Sequence, residues 1–173
     1  MHPNDEEKLK YGRHVLQRKA RDHARTPIQW SAEPNAGFCK PGVEPWMRVV
    51  NDYKTVNAEA QREQKADKLS VMQFWKRGLE NRKKHKDVFV YGSFELVDED
   101  NTKIFAYKRA SATDAFVLAL NFSGKEVEWD IPGDTKVKDW VVGNYTSGKP
   151  EQAVSGKIVL KPWEGLLGEL MLW

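Results

Sequence analysis

A single cysteine, Cys39, is all the thiol chemistry that the 173 residues contain. An internal disulfide is therefore impossible, and no cysteine-rich metal site can be built. Histidine is nearly as scarce: His2, His14, His23 and His85 are scattered, with no spacing that suits a metal. No apolar run approaches the roughly 20 residues that a membrane-spanning helix needs. Charge of one sign is not in excess either. The 28 basic and 25 acidic residues leave a net +3, too little to point to nucleic acid or an anionic membrane surface. The opening Met1-His2-Pro3-Asn4-Asp5-Glu6-Glu7 is polar and acidic, the opposite of a signal peptide. The expectations are no cofactor, no metal, no nucleic-acid or membrane partner, and a cytoplasmic location. The sequons Asn121-Phe122-Ser123 and Asn144-Tyr145-Thr146 are then chance matches.

What is present is core-forming material. Hydrophobic residues make up 40% and aromatics 11%, with seven tryptophans, a composition that a disordered chain would not show. Residues 5–21 read as a helix. Acidic Asp5, Glu6 and Glu7 stand in its first turn and basic Arg18, Lys19 and Arg21 in its last, which suits the helix dipole at both ends. Residues 26–57 are irregular, punctuated by Pro27, Pro34, Gly37, Pro41, Gly42 and Pro45, yet they hold Trp30, Phe38, Trp46 and Tyr53. A long loop this rich in large aromatics is usually an ordered, functional one. Residues 67–86 predict a second helix, with Met72, Trp75 and Leu79 on one stripe, Val71 and Phe74 beside it, and the basic run Arg82-Lys83-Lys84-His85-Lys86 as its solvated end. From residue 88 the texture changes. Short runs at 88–97, 102–109, 115–122, 125–131, 137–144, 157–160 and 166–172 alternate with turn residues such as Ser123-Gly124 and Pro132-Gly133. Such a series predicts an antiparallel β-sandwich or barrel.

One run is far more specific than any pattern. Arg21-Asp22-His23-Ala24-Arg25-Thr26-Pro27-Ile28-Gln29-Trp30 resembles the R-D-[HN]-[AS]-R-T-P-M-Q-W signature of the maltases, isomaltases and oligo-1,6-glucosidases of glycoside hydrolase family 13. Only Ile28 departs from it. Ala36-Gly37-Phe38, Pro45-Trp46, Asn51-Asp52-Tyr53, Val56-Asn57-Ala58-Glu59-Ala60-Gln61 and Val90-Tyr91-Gly92-Ser93-Phe94 follow in the family's order. The resemblance implies an α+β chain. Residues 1–87 would be the terminal helices and active-site loop of a (β/α)₈ barrel, and residues 88–173 an antiparallel β-sandwich C-terminal domain. Barrel active sites lie on the loops that follow the strands, and the signature falls on one of these.

The resemblance also implies an activity: retaining hydrolysis of the terminal α-linked glucose of maltose, isomaltose or sucrose. That reaction needs a carboxylate nucleophile and a carboxylic acid about 5–5.5 Å apart. In the family both lie upstream of the signature, and nothing in this sequence matches their motifs. No catalytic residue is therefore assigned. Asp22, Glu33 and Glu44 lie in or near the loop but lack a barrel frame to set them as a pair, so the chain alone is expected to be inactive, with weak or absent α-glucoside binding. Arg25 is the one substrate-binding residue that the resemblance implies. It would sit at the bottom of the glucose pocket, where a planar fork of donors can hold a carboxylate and a sugar hydroxyl together. Arg21 and Asp22 are assigned to local pairing and His23 to a structural hydrogen bond; Trp30, Phe38 and Trp46 are candidates for stacking on sugar faces, with packing of the loop against the barrel the expected role of Trp30 and Trp46.

A rival reading is a non-catalytic binding module. In that reading Trp129, Trp140, Trp163 and Trp173 of the β-region would present rings to a glucan or a protein. Core packing is the plainer role for these residues. Non-catalytic relatives that serve as amino-acid transporter subunits carry a membrane anchor, which this sequence does not contain.

Overall fold

The computed structural model describes residues 3–63 and 70–172, with side chains from Asp5 onward. Helix α1, Pro3–Lys19, matches the expected acidic start and basic end. It closes where Ala20 N–H donates to the Leu16 carbonyl at 3.0 Å, and a 3₁₀ turn, Arg21–Arg25, follows. After the aromatic loop come α2 (Ala58–Glu63), α3 (Val71–Lys84) and α4 (Lys86–Phe89). The expected start of the second helix at residue 67 lies outside the described residues. Among the described residues seven strands follow: β1 Ser93–Val97, β2 Ile104–Ala110, β3 Ala115–Asn121, β4 Val127–Ile131, β5 Val137–Gly143, β6 Gly156–Leu160 and β7 Gly165–Leu170.

All pairings are antiparallel. One sheet has the order β1-β2-β3-β7-β5, and β4 pairs with β6 in a second. Alternate residues of both sheets point into one core. Val97, Ile104, Ala106, Val117, Ala119, Trp140 and Leu166 come from the larger sheet, and Val127, Trp129, Ile131, Ile158 and Leu160 from the smaller. Residues 93–170 thus form a β-sandwich, as the strand texture and turn residues predict. Each buried indole finds an acceptor: Trp129 Nε1 donates to Asp98 Oδ2 at 3.1 Å, and Trp140 Nε1 to the Ala153 carbonyl at 2.8 Å. Gly168 makes room for the second, since a Cβ there would lie 3.0 Å from the Trp140 ring.

Two local expectations are corrected. The strand foreseen from residue 88 begins only at Ser93; Lys86–Phe89 instead form α4. The reason is tertiary. In the helical turn Val88 is fully buried, and Phe89 and His85 pack on Phe116 at ring separations of 4.9 and 4.8 Å. The chain then turns at Gly92, where any Cβ would collide with the carbonyls of Val88 and Ala110. In α3, the stripe of Val71, Met72, Trp75 and Leu79 is exposed. The half-buried flank is Phe74, Arg77, Asn81 and His85 instead. Arg77 fixes it there: its guanidinium donates to the carbonyls of Ser147, of Thr146 at 2.8 Å and of Gly143 at 3.4 Å. Burial pushes its pKa down, and carbonyls rather than a carboxylate solvate its charge. Arg82, Lys83 and Lys84 close the last turn of α3 and are exposed, the solvated end expected of the basic run.

Contacts divide the chain into two compact units, residues 1–61 and 62–173. They differ sharply in burial. Among the described residues of the first unit only Pro27, Ala36 and Asn57 are buried, whereas the second holds the whole sandwich core. Stability should follow burial. Limited proteolysis is therefore expected to cut first within 26–61 and to leave a resistant fragment containing 88–172, identified by mass spectrometry. A digest that removes the strands first would contradict this division.

Candidate functional site

The signature run occupies the 3₁₀ turn after α1 and the extended segment beyond it. Thr26 leaves the turn at φ −62, ψ 150, the extended conformation that a following proline imposes, and Pro27 is buried. His23 Nε2 lies 3.0 Å from the Leu16 carbonyl, the structural hydrogen bond expected of it. Arg25 Nη1 stands 3.9 Å from Asp22 Oδ1, with the two side chains 56% and 66% exposed. An exposed pair of this length contributes at most about 1 kcal/mol. The pair therefore holds the guanidinium only loosely.

Beyond Pro27 the separate motifs of the loop are tied into one knot. Gln29 is its centre: its Nε2 donates to Asp52 Oδ1 at 2.8 Å and to the Val56 carbonyl at 2.7 Å, and its own carbonyl accepts from Ala58 N–H at 2.9 Å. Trp30 N–H donates to the Ala36 carbonyl at 2.9 Å, and the Trp30 carbonyl accepts from Glu59 N–H at 3.0 Å. Asn57, 5% exposed, binds the Tyr53 carbonyl with its amide nitrogen and caps α2 through Ala60 N–H, both at 2.8 Å. Asn35, Ala36 and Gly37 all adopt positive φ, 57°, 55° and 65°. That left-handed run is costly for Ala36, and it lets Asn35 Nδ2 reach the carbonyls of Lys40 and Val43. Gln29 and Asn57 were not singled out from the sequence, although both sit inside quoted motifs. Neither residue type marks a hub until its partners are known.

The knot leaves its large rings outside. Trp30, Phe38 and Trp46 are 52%, 39% and 63% exposed, so they form no core within this unit. A cleft among Asn35, Glu44, Pro45, Arg48, Val49 and Tyr53 lies on the loop and does not include Arg25. No group of three or more His, Cys, Asp and Glu side chains converges among the described residues.

Residues 2–92 match the family model of the α-amylase catalytic domain, and residues 94–166 that of the maltogenic amylase C-terminal domain. The chain belongs to the α-amylase family. Within that family it is 40% identical over 156 residues to an α-glucosidase of Schizosaccharomyces pombe, covering 90% of this chain and 26% of the relative. An oligo-1,6-glucosidase of Saccharomyces cerevisiae is also 40% identical, over 149 residues, covering 84% of this chain and 24% of the relative. The solved trehalose-6-phosphate hydrolase of Bacillus licheniformis superposes with a TM-score of 0.73 at 31% identity, over 92% of this chain and 28% of that one. Isomaltulose synthase from Klebsiella sp. superposes with a TM-score of 0.72 at 26% identity, over 87% and 26%. This α-amylase-family chain thus spans about a quarter of the length of the relatives it matches. The two family models meet between Gly92 and Phe94, at the start of β1. Among the described residues, no helix is long and apolar enough to cross a membrane.

Proposed function

We propose that this chain carries the sugar-gripping loop and the C-terminal domain of an α-glucosidase, and that Arg25 is its contribution to the glucose pocket. The observation that carries the reading is the knot itself. The signature and the motifs downstream of it are bonded to one another through Gln29, Trp30 and Asn57, so the loop is a built unit rather than a string of matches. Residues 1–87 are read as the end of the catalytic barrel and 88–173 as the C-terminal β-domain. The meeting point of the two family models supports that division, with α3 as the last barrel helix. The exposed stripe of Val71, Met72, Trp75 and Leu79 fits a helix with one face on the sandwich and the other available to a barrel. The intact enzyme would cleave terminal α-linked glucose with retention, using two carboxylates supplied by the remainder of the barrel. It would work in the cytoplasm, with neither nucleic acid nor membrane as partner. The rival, a binding module without catalysis, would retain the β-domain's function and make Arg25 irrelevant.

A graft separates the two. Residues 1–173 replace the matching segment of a complete α-glucosidase, and kcat/KM is measured for Arg25→Lys and Arg21→Lys. Lysine keeps the charge but loses the planar fork. A charge-assisted hydrogen bond lost at a buried site costs about 1.5–3 kcal/mol, or roughly one to two orders of magnitude in rate. Arg25→Lys should lose that much and Arg21→Lys almost nothing. Equal losses, or a silent Arg25→Lys, would remove Arg25 from the pocket.

A further inference from the structure

The flank of α3 that meets the larger sheet has a gap in it. Along β3 the core positions Val117 and Ala119 alternate with half-buried Leu118 and Leu120 on the opposite face. Leu118 pairs in register with Leu167 of β7, and Leu120 with Gly165. Opposite these residues α3 brings Phe74, Gly78, Asn81 and Arg82, spaced i, i+4, i+7 and i+8 and therefore on one side of the helix. Between helix and sheet lies a cleft of about 240 Å³ whose walls include Phe74, Phe89, Leu118, Leu120 and Leu167. All its lining residues fall within residues 62–173, the second unit.

Gly78 keeps the cleft open, since a Cβ built there would meet nothing within 4 Å. Glycine weakens a helix interior, and here it stands at a position from which a larger side chain would enter the cleft. Hydrocarbon dominates the walls, and no acidic side chain is among the lining residues. The one cation is Arg82, whose Nη1 donates to the Phe89 carbonyl at 3.0 Å. That bond holds the guanidinium at the rim, and no ion pair engages it among the described residues. A guanidinium has five donors, so one bond to a carbonyl leaves it able to grip a carboxylate. A dry cavity of about 150 Å³ accepts one benzene molecule, and this larger cleft has room for a body of roughly eight carbon atoms. A sugar would strand its hydroxyls against leucine and phenylalanine, and a wholly apolar ligand would leave Arg82 unused.

We propose that the cleft between α3 and the sheet binds a small amphiphile, a medium-chain carboxylate, with its apolar tail against Leu118, Leu120 and Leu167 and its head on Arg82. The site is independent of Arg25 and of any catalysis. The test is calorimetric titration of the full 173-residue chain with octanoate, kept below the concentration at which it forms micelles, and with 1-octanol. The parent should bind octanoate saturably and more tightly than octanol. Gly78→Leu puts a side chain into the cleft and suits a helix better. It should melt no lower than the parent, yet bind octanoate at least tenfold more weakly. Arg82→Gln should lose at least fivefold for octanoate and nothing for octanol. Leu79→Ala, on the exposed stripe of the same helix, should match the parent for both ligands. A parent without saturable binding, or a Gly78→Leu chain that binds as the parent does, overturns the site. Equal octanoate affinity in Arg82→Gln and the parent overturns the anionic head. A loss in Leu79→Ala as large as that in Gly78→Leu overturns the assignment to this flank.

Discussion

Purified as its 173 residues, the chain should release no nitrophenol from nitrophenyl α-glucoside, and no glucose from maltose, above a buffer blank. Retaining hydrolysis needs two carboxyl groups held about 5–5.5 Å apart on either side of the scissile bond. No sequence motif supplies a nucleophile and an acid, and Asp22 stands 66% exposed beside Arg25. Enzymes of this kind gain at least about 10⁶-fold over the uncatalysed reaction, so the expected difference from a complete enzyme is the whole of that factor. Activity that follows the chain through purification and disappears in Asp22→Asn or Glu44→Gln would overturn the assignment of chemistry to an absent part. The same assay on the grafted enzyme gives the positive control.

Replacing Trp129 by alanine should unfold the β-domain or bring it close to unfolding. The ring is 1% exposed and lies in the core shared by both sheets. Its removal costs about 3–5 kcal/mol in lost transfer and cavity terms. Its loss also takes the Nε1 donor away from Asp98 Oδ2, which the Asn101 amide binds as well. Folded domains have about 5–15 kcal/mol in hand, so one substitution takes a large share. Urea unfolding of the chain, followed by far-UV circular dichroism, measures it. A loss below about 1 kcal/mol would mean that the sandwich core is not the seat of stability. Trp163 is 60% exposed and holds φ at 57°, a conformation that glycine prefers, so Trp163→Gly in the same experiment should be neutral or stabilising. The contrast between two tryptophans of one domain is the sharper result.

That contrast also marks the limit of reading the chain without its fold. The seven tryptophans are equivalent as composition, and the alternation around Trp129 and Trp140 suggests inward positions. Nothing in the local pattern around Pro162-Trp163 says that the ring stands outside, because its exposure is set by Ser123 and Asn144, which are far away along the chain. Arg77 is similar. It reads as one more cation in a basic helix until the carbonyls of the β5–β6 loop close around it.

The sequence by itself determined the family and the succession of strands, and it nominated Arg25 for the pocket. Period-two alternation and turn residues are local, and a signature is a string of side chains that keeps its meaning in any context. Only the tertiary structure decided which face of α3 is covered, that Lys86–Phe89 coil rather than extend, and that Gln29 and Asn57 bind the loop together. Each of those outcomes depends on a partner distant in sequence: Phe116 for α4, the 143–147 carbonyls for α3, Asp52 and Val56 for Gln29. Apolar periodicity reports that a face wants burial. Which element meets it is settled by packing and by where the remaining hydrogen-bond donors find acceptors.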